Sequence, residues 1–529
     1  MNLQALALTT APMLMLLLGL VPNRIANRRH VVIRNLAMSL VAISCLVAFG
    51  LAASRLSGFA GPVYASIYKS IWSPHLELSV YYDSVTALML SLVTFLGLIT
   101  CRFSVRYLDG EQSAGQYFKW MAFTIGAVSL MVVAGNMLLL LLAWFITSLG
   151  LHQLLTHYGH RPQARRAAWT KFVFSRLGDL LLLIATILII QAFGSQTIPD
   201  IIAQSKQLLL SSELVTQQHT IIVWLLVLGA IVKTAQVPFH AWLPETLETP
   251  TPVSAFMHAG IVNAGGYMLI RINPILALES MALTCLAIVG AATACLGVVV
   301  MATQTSVKRS LAYSTVAQMG FMMLQCGVGA FSAAMLHLLA HSLYKAHAFL
   351  SSGTVDFHAK QRVKSAVPET SSLPKIVYLL AALACSTGLV VSLSGLMQLD
   401  LLGKQGGVLF ASILTLALSS WIWKIFLTRH LRTKILGMTA VAGICAASLG
   451  CFQLMDYMIG SSVAPLAQAP VQGWMSLLVG LVFATLFLMQ AVIASGWRHA
   501  WLERIRIHAT SGFYFSALYQ RFFSNVLAS

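Results

Sequence analysis

The chain has 529 residues, of which 58% are hydrophobic and only 9% charged, and its mean hydropathy is +0.81. Soluble domains carry about 25% charged residues, so the composition excludes an ordinary soluble protein and leaves a polytopic membrane protein, in which backbone polar groups pair internally. The net charge of +18 sits in short loops between apolar runs, a positive-inside pattern rather than a nucleic-acid-binding face.

Apolar stretches long enough to cross a bilayer, about 20 residues each, fall near 3–21, 31–53, 80–101, 118–134, 136–155, 170–193, 221–243, 252–275, 280–302, 311–330, 331–352, 376–400, 407–428, 435–458 and 473–496. The expected fold is therefore all-α and polytopic, with about fifteen transmembrane helices. The first run lacks a basic leader and precedes RIANRRH, so it reads as a retained helix rather than a cleaved signal. Loops after odd-numbered spans carry Arg24, Arg28, Arg29 and Arg34, then Arg102 and Arg106, then Arg161, Arg165 and Arg166. Lys308 and Arg309, then Lys360, Arg362, Lys364 and Lys375, then Arg429, Arg432 and Lys434 continue the series. The alternate loops hold scattered cations such as Arg55, Lys69, Lys206, Arg271 and Lys404. This bias implies an outside N-terminus and a cytoplasmic C-terminus. The basic, aromatic stretch from Trp497 is expected to lie on the cytoplasmic interface or to dock on a partner. The eight cysteines fall in or beside apolar runs without a CxxC, and read as small buried hydrophobes.

Ionisable residues inside apolar spans carry the functional signal, because a charge at bilayer depth costs about 2.5–3.5 kcal/mol on insertion scales. Lys233 precedes a run containing Pro238, Pro244, Pro250 and Pro252, which breaks the seventh span. Broken helices at membrane depth line hydrated cavities or lie buried in protein. Lys233 can therefore carry a proton there, or pair with a buried carboxylate for packing alone. His258 lies in the next span. His337, His341 and Lys345 are spaced i, i+4, i+8 and form one stripe of the eleventh span, as a proton wire requires; His347 lies on another face. The paired histidines would also suit zinc, but HLLAH has no glutamate base. In KFVFSRLGDL, Lys171, Arg176 and Asp179 sit near the cytoplasmic end of the sixth span. Arg176 and Asp179 can pair at i, i+3, either to orient the helix or for transport, and Asp179 is the best candidate partner for Lys233. Asp83 suits the dipole at the start of the third span and reads as structural. Glu245 and Glu248, in the turn after the broken helix, are candidate proton uptake points. Lys308 is either a positive-inside residue or one that reaches inward. No Walker A, dinucleotide or nucleophile-elbow motif occurs, so the expectation is a non-enzymatic chain driven by an ion gradient or by another subunit.

The stretches KTAQVPFHAWLPETLETPTPVSAFMHA, QTSVKRSLAYSTVAQMG and HLLAHSLYKAHAFL resemble the antiporter-like subunits of proton-pumping NADH–quinone oxidoreductase and of Mrp-type sodium/proton antiporters. The resemblance runs over most of residues 80–430. It implies two inverted five-helix repeats, at 118–278 and 279–430, with the broken helix in the first. They would be flanked by N-terminal helices over 1–117, C-terminal helices over 431–496 and an interfacial tail over 497–529. It further implies that Lys233 is the channel lysine, His258 a bridging histidine, and His337, His341 and Lys345 the central proton path. Asp179, Arg176, Lys308 and Glu245, read from their own positions above, complete the candidate ion-pathway residues.

The sequence also departs from that family. Phe145 follows Trp144 where the family has a glutamate, Leu399 takes the ionisable position of an unbroken twelfth span, and Ser306 replaces an acid. The long lateral helix of the largest such subunit is not expected after the fifteenth span. A short chain of this design resembles the membrane subunit of the DAB inorganic-carbon transporters. That resemblance implies a bacterial inner-membrane location and a large zinc-containing, β-carbonic-anhydrase-like cytoplasmic partner. Hydration chemistry and zinc would belong to the partner, with no cofactor or metal in this chain. The expected function is a cation-conducting subunit for bicarbonate uptake, with protons preferred over Na⁺ as the driving ion. The alternatives are a pump or antiporter module of the wider family and a non-conducting membrane anchor.

Overall fold

The computed structural model of the chain describes residues 3–57, 61–69, 77–211, 215–354, 372–404, 406–428, 430–460 and 500–519, with isolated positions besides. The predicted span near 473–496 lies outside the described residues. The architecture is helical. Among the described residues, ten helices are long and apolar enough to cross a membrane, and two shorter apolar helices join them.

The first helices are α1 (Leu3–Gly19), α2 (Asn23–Arg28) and α3 (His30–Leu56). An antiparallel hairpin then pairs β1 (Val63–Lys69) with β2 (Glu77–Tyr82). The hairpin takes the first residues of the predicted third span, so helix α4 begins only at Ser84 and runs to Tyr107. Asp83 fixes that start by accepting a hydrogen bond from the Thr86 N–H at 2.9 Å. Next come α5 (Ala114–Val133), α6 (Met137–Leu155) and α7 (Pro162–Phe193). The Asn136 side chain caps α6 through the Leu139 N–H at 2.7 Å. Pro162 opens α7, where its missing N–H is not needed.

The broken region follows α8 (Ile198–Leu210). Helix α9 (Gln217–Lys233) ends at its lysine, and residues 234–241 are irregular before the short α10 (Trp242–Glu245). Pro238 therefore lies beyond the end of α9 rather than inside a continuing helix. The predicted span near 252–275 is also divided, into α11 (Thr251–Ala259), α12 (Ala264–Arg271) and α13 (Asn273–Leu276). At this break the Asn263 side chain donates to the Ala259 carbonyl at 2.7 Å. A local side-chain bond of this kind competes with the backbone ladder.

Helices α14 (Ser280–Thr303), α15 (Val307–Gly327) and α16 (Phe331–Leu350) complete the central body. Small residues let α14 and α15 approach closely: a Cβ on Gly320 would stand 2.5 Å from the Ala294 nitrogen. Helices α17 (Ser372–Leu396), α18 (Gly407–Phe426) and α19 (Leu431–Ile459) share a separate apolar cluster that includes Leu399, Leu418 and Cys445. Helix α17 is continuous: its one proline, Pro374, lies in the first turn, where a missing N–H is tolerated. The described chain resumes at α20 (Ala500–Thr510). All eight cysteines are free.

Candidate ion pathway

The first charge cluster is built where α7 and α9 meet. Gly178 brings them together: a Cβ there would lie 2.4 Å from Lys233 Cγ and 2.9 Å from Cδ. The lysine stem crosses the helix at that gap, and its amine donates to Asp179 Oδ1. The second carboxylate oxygen of Asp179 lies 2.7 Å from Arg176 Nη2. The Lys233 side chain is only 3% exposed, so the pair removes an uncompensated charge from low dielectric. Aromatic rings of α6 complete the cluster. Lys233 Nζ stands 4.1 Å from the Trp144 ring centroid, and Arg176 Cζ stands 4.0 Å from that of Phe145. Phe145 thus packs on Arg176, and the carboxylate that Lys233 meets is Asp179 of α7. Lys171 is buried as well, donating to Ser148 Oγ at 2.8 Å and to the Ser148 carbonyl at 3.1 Å. Lys171 and Lys233 line one cavity of about 30 Å³.

The second cluster lies on α16 and the face of α11 packed against it. His337 Nδ1 is 2.8 Å from Gln325 Oε1, and the His337 and His341 rings are 6.0 Å apart. Lys345 is fully buried and donates to the Leu311 carbonyl of α15 at 3.2 Å. His258 is fully buried and stacks on Phe349 at 4.4 Å, one turn from Lys345. Both ring nitrogens of His258 and His341, and Nε2 of His337, have no hydrogen-bond partner among the described residues. The Asn263 amide ties the α11–α12 break to α16 by donating to Ser342 Oγ at 2.8 Å. Between the clusters, Met257, Ile261 and Val262 wall the Lys233 cavity, and His258 follows Met257 directly.

Other predicted residues stand apart from these clusters. Glu245 ends α10, three residues beyond Trp242, which lines the Lys233 cavity as Glu245 does not. Glu248 pairs with Arg161 at 2.9 Å in an exposed contact. Lys308 is half-buried in the first turn of α15, one turn before the Leu311 carbonyl that holds Lys345. Arg271 corrects the sequence reading: it is not a loop cation but a buried residue of α12, paired with Asp83 at 2.7 Å and 4.2 Å from the Tyr81 ring. Asp83 therefore joins two helices as well as capping one.

The C-terminal tail packs on its own chain. Phe515 meets His240 edge-on at 4.8 Å, Tyr519 meets Phe174 at 5.0 Å, and the Tyr519 hydroxyl donates to the Pro238 carbonyl. His240, fully buried in the irregular segment, escaped the sequence reading. Its only signal was a polar residue two positions after the helix-breaking Pro238. Among the described residues, no group of three or more His, Cys, Asp or Glu side chains gathers in a metal-binding arrangement.

A helical membrane body with broken helices, a buried lysine–carboxylate pair and a buried histidine–lysine row is an antiporter-like subunit. The fold is shared with the Mrp complex from Dietzia sp., with a TM-score of 0.61 and 22% identity, over 96% of this chain and 59% of that one. Residues 134–367 match the family described as NADH:quinone oxidoreductase/Mrp antiporter, and residues 70–118 match the N-terminus of NADH-ubiquinone oxidoreductase chain 5. The chain belongs to this antiporter-like family, and its relatives within it include DabB subunits. It is 35% identical over 439 residues to the probable inorganic carbon transporter subunit DabB of Hydrogenovibrio crunogenus, covering 82% of this chain and 80% of that one. It is 45% identical over 291 residues to the probable subunit DabB2 of Halothiobacillus neapolitanus, covering 54% of this chain. That second match spans about half of the relative, 51% of its length.

Proposed function

We propose that this chain is the proton-conducting membrane subunit of an inorganic-carbon uptake complex. The observation that carries the reading is the pair of ionisable clusters in the helical body, Arg176–Asp179–Lys233 and His258–His337–His341–Lys345, in a chain related to DabB subunits. Protons enter from outside and pass along these groups, with Lys308 and Glu245 as accessory positions. The free energy released biases a cytoplasmic partner that resembles a β-carbonic anhydrase and holds the zinc. One proton crossing 100 mV supplies about 2.3 kcal/mol, a useful bias on a near-neutral hydration equilibrium. The chain sits in a bacterial inner membrane with its N-terminus outside and its C-terminus in the cytoplasm. The hydration chemistry belongs to the partner.

The test is bicarbonate uptake in cells that lack carbonic anhydrase and express this chain with its partner. Uptake is expected to collapse with a protonophore and with Lys345→Ala. An intact complex without uptake sinks the carbon reading and favours a pump or antiporter module, a second reading supported by the Mrp fold and by the carboxylate that Asp179 presents to Lys233. Uptake that survives both treatments removes proton conduction and leaves a membrane anchor or a different driving ion.

A further inference from the structure

We propose that Lys171 is a second protonation site of the first cluster, exchanging protons with Lys233 through the cavity they share. The inference rests on the proton-conducting reading above and extends it to a residue outside the set assigned there.

Position is the first argument. Lys171 lies on α7 between Asp179 and the end that carries Arg161, Arg165 and Arg166, roughly 12 Å along the axis from Asp179 at about 1.5 Å per residue. It is 4% exposed. It therefore bridges the distance between the Lys233–Asp179 pair and the basic end of the helix, from inside the protein rather than from its surface.

The second argument is the chemistry of its surroundings. A lysine that serves only to fasten two helices is best held by a carboxylate. Lys171 instead donates to two neutral oxygens of Ser148. The charged groups acting on it are Lys233 from α9 and Arg176 and Asp179 from its own helix. His152 also faces it from α6, one turn beyond Ser148. Trp242 of α10, Met257 of α11 and Ile261 of the following turn close the cavity without charge. Three cations thus gather around one carboxylate. Arg176 cannot release its proton, whereas both lysines can, so the cluster balances its charge only through them.

The third argument is the connection. The cavity of about 30 Å³ exceeds the roughly 10–15 Å³ that one water needs. Thr147, Ser148 and Ser175 place hydroxyl-bearing residues in its wall. A proton leaving the Lys233 ammonium joins the free amine of Lys171, and the reverse step restores both groups. One N–H bond breaks as another forms, and nothing else is consumed.

The experiment compares Lys171→Met, Lys171→Arg and Lys171→His in the full complex by radiolabelled bicarbonate uptake over a range of pH. Lys345→Met serves as the reference, and detergent melting checks folding. The Met and Arg variants are expected to lose at least tenfold in uptake. The His variant should keep a measurable rate with a displaced pH profile, because it alone can still gain and lose a proton in this range. Lys171→Arg with the wild-type rate and pH profile would overturn the inference, since a fixed charge would then suffice. If the Lys171 variants fail to fold, Ser148→Ala decides: a displaced pH profile supports the relay, and an unchanged one overturns it. If Lys345→Met takes up bicarbonate at the wild-type rate, the functional reading falls and the inference with it. Loss with Lys345→Met but not with Lys171→Met removes the inference alone.

Discussion

Lys233, Asp179 and Gly178 act as one unit at the residue scale. Removing either member of a buried ion pair costs about 3–5 kcal/mol, because the remaining charge stays uncompensated. Lys233→Ala and Asp179→Ala are each expected to lower the melting temperature in detergent and to abolish uptake. The double variant should recover part of the melting temperature and none of the uptake. Full independence of the two losses would mean that the pair seen here is not energetically coupled. Gly178→Ala separates stability from function in another way. Alanine raises helix propensity by about 1 kcal/mol over glycine, yet its Cβ would displace the Lys233 stem. The variant is expected to fold and to transport poorly, and wild-type uptake would show that the lysine does not need this path across α7. Asp179 was legible as a partner for Lys233 because it is the acid nearest to hand on an adjacent span. The role of Gly178 was not, because a close approach between helices depends on which faces meet.

Two breaks matter at the element scale. The break after Lys233 was legible, because Pro238, Pro244, Pro250 and Pro252 forbid a continuous helix. The break at Gly260–Asn263 was hidden inside a mostly apolar run, and at it the Asn263 side chain donates to the Ala259 carbonyl. The Asp83–Arg271 pair was hidden too. A helix-start aspartate and a cation near a span end are common locally, and only the meeting of the α4 start with the α12 end shows that both are buried. Arg271→Met is expected to destabilise the protein by about 3–5 kcal/mol, since Asp83 would be left buried without its cation. Arg271→Met with Asp83→Asn should be milder than Arg271→Met alone. Thermal melts of the three variants check this, and a neutral Arg271→Met would make the pair dispensable.

At the scale of the whole molecule, the tail and the orientation are linked. Phe515 and Tyr519 lie against His240, Phe174 and Pro238, so the tail shares a face with the irregular segment after α9. In the proposed orientation that face is cytoplasmic. A C-terminal green fluorescent protein fusion is expected to fluoresce, and alkaline phosphatase fused after Lys404 is expected to be active. The opposite pattern would reverse the orientation and with it the direction of ion flow. The tail was expected at the membrane interface or on a partner. Its residues Phe515 and Tyr519 find apolar and carbonyl partners on its own chain, contacts that composition cannot reveal.

Hydropathy alone determined that this is a helical membrane protein, since no other fold buries so many consecutive apolar residues with so few charges. The motifs alone marked Lys233, His258, His337, His341 and Lys345, because ionisable groups inside apolar runs are too costly to be incidental. Only the tertiary structure decided that Lys171 shares a cavity with Lys233 and that Arg271 is an interior residue. Each depends on which faces of distant helices meet, and helical periodicity gives a residue its face without naming the neighbour across from it.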